Sequence, residues 1–406
     1  MTVTIVGASL AGLRVAQALR RLGFTEAITM LGDEPYGPYD RPPLSKEYLD
    51  ASPDGGDAAS PPSLVSPQEL DDLELDLRLS CQATGLDVAG RKVELASGER
   101  VGYDRLVIAT GARARRHPLG AGPGGFLSLR TVDDATAIRA ALDRRPDVVV
   151  LGGGFIGAEV AAAVRKRGLD VTMIEMLPAP MSRSLGPTVG TLLARLHEDY
   201  GVRVRLDTTV AAVRRDGGGR VAELELANGS VVPADVVIEG LGAIPATGWL
   251  ADSGLDLADG VACDSDLRVL GPAGVFGPEG VFGAGDVARH PHDLLGETVR
   301  IEHWTNAGGH AEIVAATIME APRPAAAPPY VWSDQYGHRI QVVGRPRPDD
   351  AVTVIEDSGK DGHVAVYERD GIVSGVFTID SPRVMLMGRR AISGRLSSRE
   401  FLGRIP

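Results

Sequence analysis

Asp147-Val148-Val149-Val150-Leu151-Gly152-Gly153-Gly154-Phe155-Ile156-Gly157 reads as a buried strand, a glycine turn and the start of a helix. A run of apolar β-formers suits a parallel strand covered on both faces. Gly152 permits the tight turn, Gly154 lets backbone approach a phosphate, and Gly157 lets the helix lie close to the strand. The pattern continues through a helix to Gly168 and a second apolar run, Val171-Thr172-Met173-Ile174, which ends at Glu175. That order is a βαβ unit whose helix N-terminus faces a pyrophosphate and whose acid accepts from a ribose hydroxyl. A carboxylate there repels a 2′-phosphate, so Glu175 predicts NADH over NADPH.

The N-terminus repeats the order. Thr2-Val3-Thr4-Ile5-Val6 leads into Gly7-Ala8-Ser9-Leu10-Ala11-Gly12, then a helical pattern to Gly23, a strand Ala27–Leu31, and the acids Asp33 and Glu34. Asp33 lies 21 positions after Gly12, close to the roughly 20 expected. Ser9 replaces the middle glycine with a small side chain that the position tolerates. A lone glycine fingerprint occurs in many folds, but two copies with strand, helix and acid in register predict an α/β chain with two Rossmann-like dinucleotide-binding domains. Two short apolar strands end in small residues that admit a cofactor closely: one at Ala109, Thr110 and Gly111, the other at Gly283-Ala284-Gly285-Asp286. Asp286 reads either as a helix N-cap or as an acceptor for a polyol hydroxyl. Beside the N-terminal fingerprint the second reading is favoured, and it selects FAD, whose ribitol NAD lacks.

These segments, with Pro38-Tyr39-Asp40-Arg41-Pro42-Pro43-Leu44-Ser45-Lys46, Glu302-His303-Trp304-Thr305-Asn306-Ala307 and Val331-Trp332-Ser333-Asp334-Gln335-Tyr336, resemble the two-dinucleotide-domain flavoprotein reductases of the glutathione reductase fold. Within them the chain is most similar to the oxygenase-coupled, NADH-dependent ferredoxin reductases. The resemblance covers nearly the whole chain. It departs at Ser9 and in a degenerate proline- and glycine-rich stretch from Ala51 to Pro67.

The resemblance implies roles for several residues. Lys46, which by itself reads as an ordinary surface charge, would lie beside flavin N5 and pair with Glu159, tying the flavin domain to the nicotinamide domain. Glu302, His303 and Trp304 would border the isoalloxazine. Trp304 alone reads equally as a packing residue, yet a helical run from it to about Met319 offers its first amides to the charge that reduced flavin carries at N1. Arg41 is expected at a pyrophosphate or ribose, Arg130 near the cofactor, and Gly242 among the cofactor-binding residues. No side chain is needed as acid, base or nucleophile, His303 included, because the cofactors carry the chemistry. No metal site is assigned.

With 406 residues, 44% apolar content, 51 glycines and 27 prolines, the composition is that of an ordinary turn-rich α/β enzyme. No stretch free of Asp, Glu, Lys and Arg exceeds 13 residues, and a membrane span needs about 20. The apolar run at the N-terminus is the first fingerprint, so no signal peptide is read and the cytoplasm is the expected compartment. The two cysteines, Cys81 and Cys263, stand 182 positions apart and read as structural. Without a thiol relay, electrons that arrive as hydride leave the flavin directly.

Residues 1–113 and 245–325 are expected to build the FAD domain, 114–244 an inserted NAD domain, and 326–406 a C-terminal α+β domain. In the last, Arg339–Val343, Ala351–Ile355, His363–Tyr367 and Ile372–Thr378 alternate like antiparallel strands, with hairpin turns at Lys360-Asp361-Gly362 and Arg369-Asp370-Gly371. Single-electron release points to an iron-sulfur ferredoxin as partner, feeding a monooxygenase or a ring-hydroxylating dioxygenase. Such partners are acidic and the chain carries −12, but from Gly371 to Pro406 six arginines face only Asp380 and Glu400. That basic run reads as a docking face or as a solvated one. Low aromatic content and the acidic total argue against nucleic acid. Other readings keep the cofactors but change the acceptor to rubredoxin, a nitrite-reductase partner or oxygen. A further one makes the chain an NADH-sensing flavoprotein similar to apoptosis-inducing factor, which the lack of a C-terminal insert and a targeting segment disfavours.

Overall fold

The computed structural model describes residues 1–50, 62–121, 124–274, 277–356 and 362–405. Residues 51–61 of the degenerate stretch, and Lys360 and Asp361 of the first expected hairpin turn, lie outside the described residues. The chain divides into two compact units. One comprises Met1–Asp40, Ser60–Arg113 and Ile244–Tyr330, the other Arg41–Ala59, Ala114–Ala243 and Val331–Pro406.

In the first unit five parallel strands lie in the order Val281–Gly283, Arg105–Ile108, Val3–Val6, Ile28–Leu31, Leu75–Arg78. Val6 is level with Leu31 and Ile108, and Ile108 with Gly283. Gly7, Ala109 and Ala284 therefore leave the sheet at one carboxyl edge, where open parallel sheets bind their ligands. Helices Leu10–Arg21 and Trp304–Ile318 share the core of this unit through Val15, Leu19, Ala311 and Val314, all fully buried. Each buried Val or Leu stabilises by about 1.5–3 kcal/mol.

In the second unit the parallel order is Arg203–Arg205, Val171–Ile174, Val148–Leu151, Val236–Glu239, Leu127–Ser128. Leu151 is level with Ile174 and Glu239, so Gly152, Glu175 and Gly240 share an edge. Helix Phe155–Lys166 leaves the glycine turn there. Helix Ser182–Asp199 kinks where Gly186 takes φ 72° ahead of Pro187, because proline cannot continue the hydrogen-bond ladder. The kink frees carbonyls, and the Tyr367 hydroxyl donates to that of Leu185 at 2.7 Å.

Leu185, Val189 and Leu193 of that helix pack with Ile340, Tyr367 and Phe377 of the C-terminal sheet. Its strand order is Tyr330–Gln335, His338–Gly344, Ile372–Ile379, His363–Arg369, Ala351–Glu356. The last four fall on the segments expected as strands, although His363–Arg369 and Ile372–Ile379 bury continuous runs in place of alternate residues. Asp370 and Gly371, with φ 53° and 77°, form the expected hairpin turn. The first strand is an addition, since the residues it buries most completely are Ser333 and Gln335, 0% and 1% exposed. Helices Pro382–Ser393 and Ser398–Leu402 complete the domain. No helix among the described residues is long and apolar enough to cross a membrane.

Candidate functional site

At the carboxyl edge of the first unit the backbone is packed too closely for side chains. A Cβ on Gly7 would lie 2.2 Å from the Ala109 carbonyl oxygen, and one on Gly12 would lie 2.1 Å from that of Gly7. The edge is thus bounded by closely packed main chain and ends at the N-terminus of helix Leu10–Arg21, which favours an anion. This fits the pyrophosphate of FAD. Asp33 is exposed just beyond strand Ile28–Leu31, while the Glu34 carboxylate accepts from the Tyr39 hydroxyl at 2.5 Å. Thr110 donates to the Ala246 carbonyl at 2.9 Å, and Gly111 takes φ 67°.

Gly285-Asp286-Val287 is a single 3₁₀ turn capped by Ala284 and followed directly by strand Ala288–His292. The N-cap alternative for Asp286 therefore falls away: no helix begins there. Asp286 is half-buried at the edge.

Helix Trp304–Ile318 is capped by His303 and ends one residue short of the expected Met319. The Trp304 indole donates to Asp40 Oδ1 at 2.8 Å, so the Pro38–Asp40 segment fixes the tryptophan that opens the helix. Burial pushes His303 down to about 4, leaving it neutral at pH 7. Glu302 is exposed and pairs with Arg300, which also donates to the Asp286 carbonyl at 3.1 Å.

The second unit repeats the glycine geometry. A Cβ on Gly157 would lie 2.0 Å from the Gly152 carbonyl oxygen, and one on Gly152 would lie 2.4 Å from that of Gly240. Gly154 caps helix Phe155–Lys166 and brings no side chain to its first amides. The Glu175 carboxylate is held by both oxygens, accepting the Gly153 amide at 2.7 Å and the Leu177 amide at 2.9 Å. It is thereby preorganised at the end of its strand. Gly242 takes φ 86° in the same unit, its carbonyl accepting from the Arg115 amide at 2.9 Å.

Lys46 and Glu159 are together: Lys46 Nζ lies 2.9 Å from Glu159 Oε1, and the two side chains are 12% and 4% exposed. The ammonium also donates to the Pro42 carbonyl at 3.1 Å. Ser333 donates to Glu159 Oε1 at 2.6 Å, Gln335 donates to Ser333 at 3.0 Å, and Ser45 donates to Glu159 Oε2. One buried carboxylate thus receives donors from the Pro42–Lys46 turn and from the first strand of the C-terminal sheet. Arg41 turns elsewhere, donating to the Arg130 carbonyl at 2.6 Å, so these two residues meet each other.

Several residues in this arrangement have no individual role legible in the sequence: Asp40, Ser45, Ser333 and Gln335, which lie in the segments that carry the resemblance, and Glu239. Glu239 ends its strand beside Gly240, accepts the His117 amide at 2.6 Å and pairs with Arg116 at 3.1 Å; burial raises its carboxyl. A polar residue in a strand reveals its partner only when another element brings that partner across. Cys263 is buried, with its thiol pushed up by burial, and Cys81 is half-buried; both are free.

Residues 1–311 match the pyridine nucleotide-disulphide oxidoreductase family, and residues 330–400 match the reductase C-terminal family. Rhodocoxin reductase of Rhodococcus erythropolis is 35% identical over 380 residues, 93% of this chain and 83% of that protein. The biphenyl dioxygenase system ferredoxin–NAD(+) reductase component of Paraburkholderia xenovorans is 36% identical over 399 residues, 98% of this chain and 94% of that protein. Among solved structures, the covalent putidaredoxin reductase–putidaredoxin complex matches with a TM-score of 0.91 at 30% identity, covering 98% of this chain and 95% of that one. The chain belongs to the pyridine nucleotide-disulphide oxidoreductase family and carries a reductase C-terminal domain.

Proposed function

We propose that this chain takes hydride from NADH onto FAD and passes electrons singly to a small iron-sulfur ferredoxin that supplies an oxygenase. The observation that carries the reading is the buried Lys46–Glu159 pair beside the second glycine fingerprint, in a chain whose two cysteines are single and free. Bound FAD supplies the conversion of a two-electron donor into one-electron steps.

The chain's own groups position and tune. The Gly7 and Gly12 backbone and the first amides of helix Leu10–Arg21 receive the FAD pyrophosphate, Asp33 accepts from its ribose, and Asp286 accepts from its ribitol. The amides opening at Trp304 face the flavin charge. Gly152, Gly154 and Gly157 receive the NADH pyrophosphate. The Lys46 ammonium, held by Glu159, would act on the nucleotide side of hydride transfer. Residues 1–113 and 245–325 form the flavin domain, 114–244 the NADH domain and 326–406 the acceptor domain, in a protein that works in the cytoplasm.

Helix Pro382–Ser393 buries Val384, Met385, Gly388, Ala391 and Ile392 and exposes Arg383, Leu386, Arg389 and Arg390. An apolar residue among arginines suits an acidic partner: charge steers the encounter and the apolar centre holds it. NADH oxidation measured with a panel of ferredoxins, rubredoxin and ferricyanide tests the reading. Cytochrome c reduction is expected only when a ferredoxin is present, with a KM for ferredoxin that rises with salt. Should no ferredoxin exceed the ferricyanide background, the ferredoxin reading fails. A long-lived reduced complex with no acceptor activity would instead favour an NADH sensor.

Glu175 also sets the nucleotide. Glu175→Ala is expected to lower kcat/KM for NADH on the order of tenfold, the scale of one lost charged hydrogen bond, and to leave NADPH use less affected. An unchanged ratio of the two would remove Glu175 from that role.

A further inference from the structure

The first unit contains a buried histidine pair that the proposed mechanism does not use. His310 and His290 are 2% and 4% exposed. His310 lies on helix Trp304–Ile318, and its Nδ1 accepts the backbone amide of Gly285 at 3.1 Å. Its Nε2 lies 3.0 Å from His290 Nε2, with the rings edge to face.

These contacts determine where the protons are. An amide N–H only donates, so His310 Nδ1 carries no proton. The ring proton is then on Nε2, which donates to His290 Nε2. His290 in turn carries its own proton on Nδ1. Burial holds both rings neutral, pushing His290 down to about 4 and His310 well below the ordinary imidazole range.

The accepted amide belongs to a constrained turn. Gly285 takes φ 74°, and a Cβ there would lie 2.9 Å from the Ala11 Cβ on the first fingerprint helix. The turn has no spare space, and its buried amide has His310 as its acceptor. We propose that His310 is a positioning residue: with Nδ1 free to accept and its Nε2 proton received by His290, it holds the Gly285–Asp286 turn in the form that binds FAD. The inference rests on the flavin reading of that turn. One imidazole thus links the two flavin-side elements of this unit, the Gly285 turn and the helix opened by Trp304.

The test is FAD titration of flavin-free full-length protein, followed by flavin fluorescence, alongside its thermal melting. Asparagine places an oxygen where histidine has Nδ1, whereas glutamine reaches only the Nε2 position. His310→Asn is expected to bind FAD within about threefold of the parent, and His310→Gln on the order of tenfold more weakly, the scale of one orphaned buried amide. His290→Leu removes the acceptor of the His310 Nε2 proton and is expected to fall between them. Asn and Gln variants with equal FAD affinity, whether both tight or both weak, overturn the proposal. Asp286→Ala separates the two levels. If it leaves FAD affinity unchanged, the flavin reading of the turn is what fails; if it weakens FAD while Asn and Gln behave alike, only the role of His310 fails.

Discussion

Gly157→Ala is expected to abolish NADH use while the protein keeps its flavin. The added methyl would sit 2.0 Å from the Gly152 carbonyl oxygen and 3.1 Å from its carbon, both main-chain atoms. The turn cannot retreat, because Gly152 at φ 96° is itself wedged against the Gly240 carbonyl. The helix must move instead, carrying with it the first amides that receive the pyrophosphate. Displacement of this kind costs about 3 kcal/mol or more, equivalent to at least about a hundredfold in KM for NADH. Flavin absorbance and stopped-flow reduction by NADH give the two readouts. The matching change on the other side, Gly12→Ala, meets the Gly7 carbonyl at 2.1 Å and should lose FAD instead. An NADH KM within twofold of the parent in Gly157→Ala would mean that the turn yields and that the close packing is not what binds the nucleotide.

Replacing Glu159 by leucine should harm both stability and hydride transfer. The carboxylate is the anionic partner of an ammonium that is only 12% exposed, and removing one member of such a pair costs about 3–5 kcal/mol. Ser333, 0% exposed, loses its acceptor as well, and Ser45 is left with only the Pro42 carbonyl at 3.3 Å. A fall in melting temperature is expected, together with flavin reduction by NADH slowed on the order of a hundredfold as Lys46 loses its fixed position. The double variant Lys46→Met/Glu159→Leu leaves no charge stranded and should melt above the single Glu159→Leu. Single and double variants that melt alike would show the pair to be energetically idle.

The parts of this structure that were legible beforehand share a property: their signal is local in sequence. Gly7 and Gly152 announce turns because their neighbours alternate from strand to helix within a dozen residues. Asp370-Gly371 announces a hairpin because the pair itself favours positive φ. The pairing of Lys46 with Glu159 is legible only through resemblance, since nothing near either residue names the other. Strand Tyr330–Gln335 shows why the remainder was hidden. It alternates faithfully, but it turns Ser333 and Gln335 inward to serve a carboxylate far away in the chain, so apolar periodicity does not register it. His310 is silent for the same reason, being a single polar residue on an otherwise apolar helix face.

The serine that strand Tyr330–Gln335 donates to Glu159 also bears on modularity. A C-terminal domain joined by an alanine- and proline-rich link looks detachable, a cassette that could be exchanged to redirect electrons to a new acceptor. Yet Ser333, only a few residues into that cassette, belongs to the hydrogen-bond set of the nucleotide-side carboxylate. A chimaera joined before Val331 must therefore bring an equivalent hydroxyl and its Gln335 support. A junction placed after Tyr336 would keep both with the parent chain and exchange only the acceptor surface.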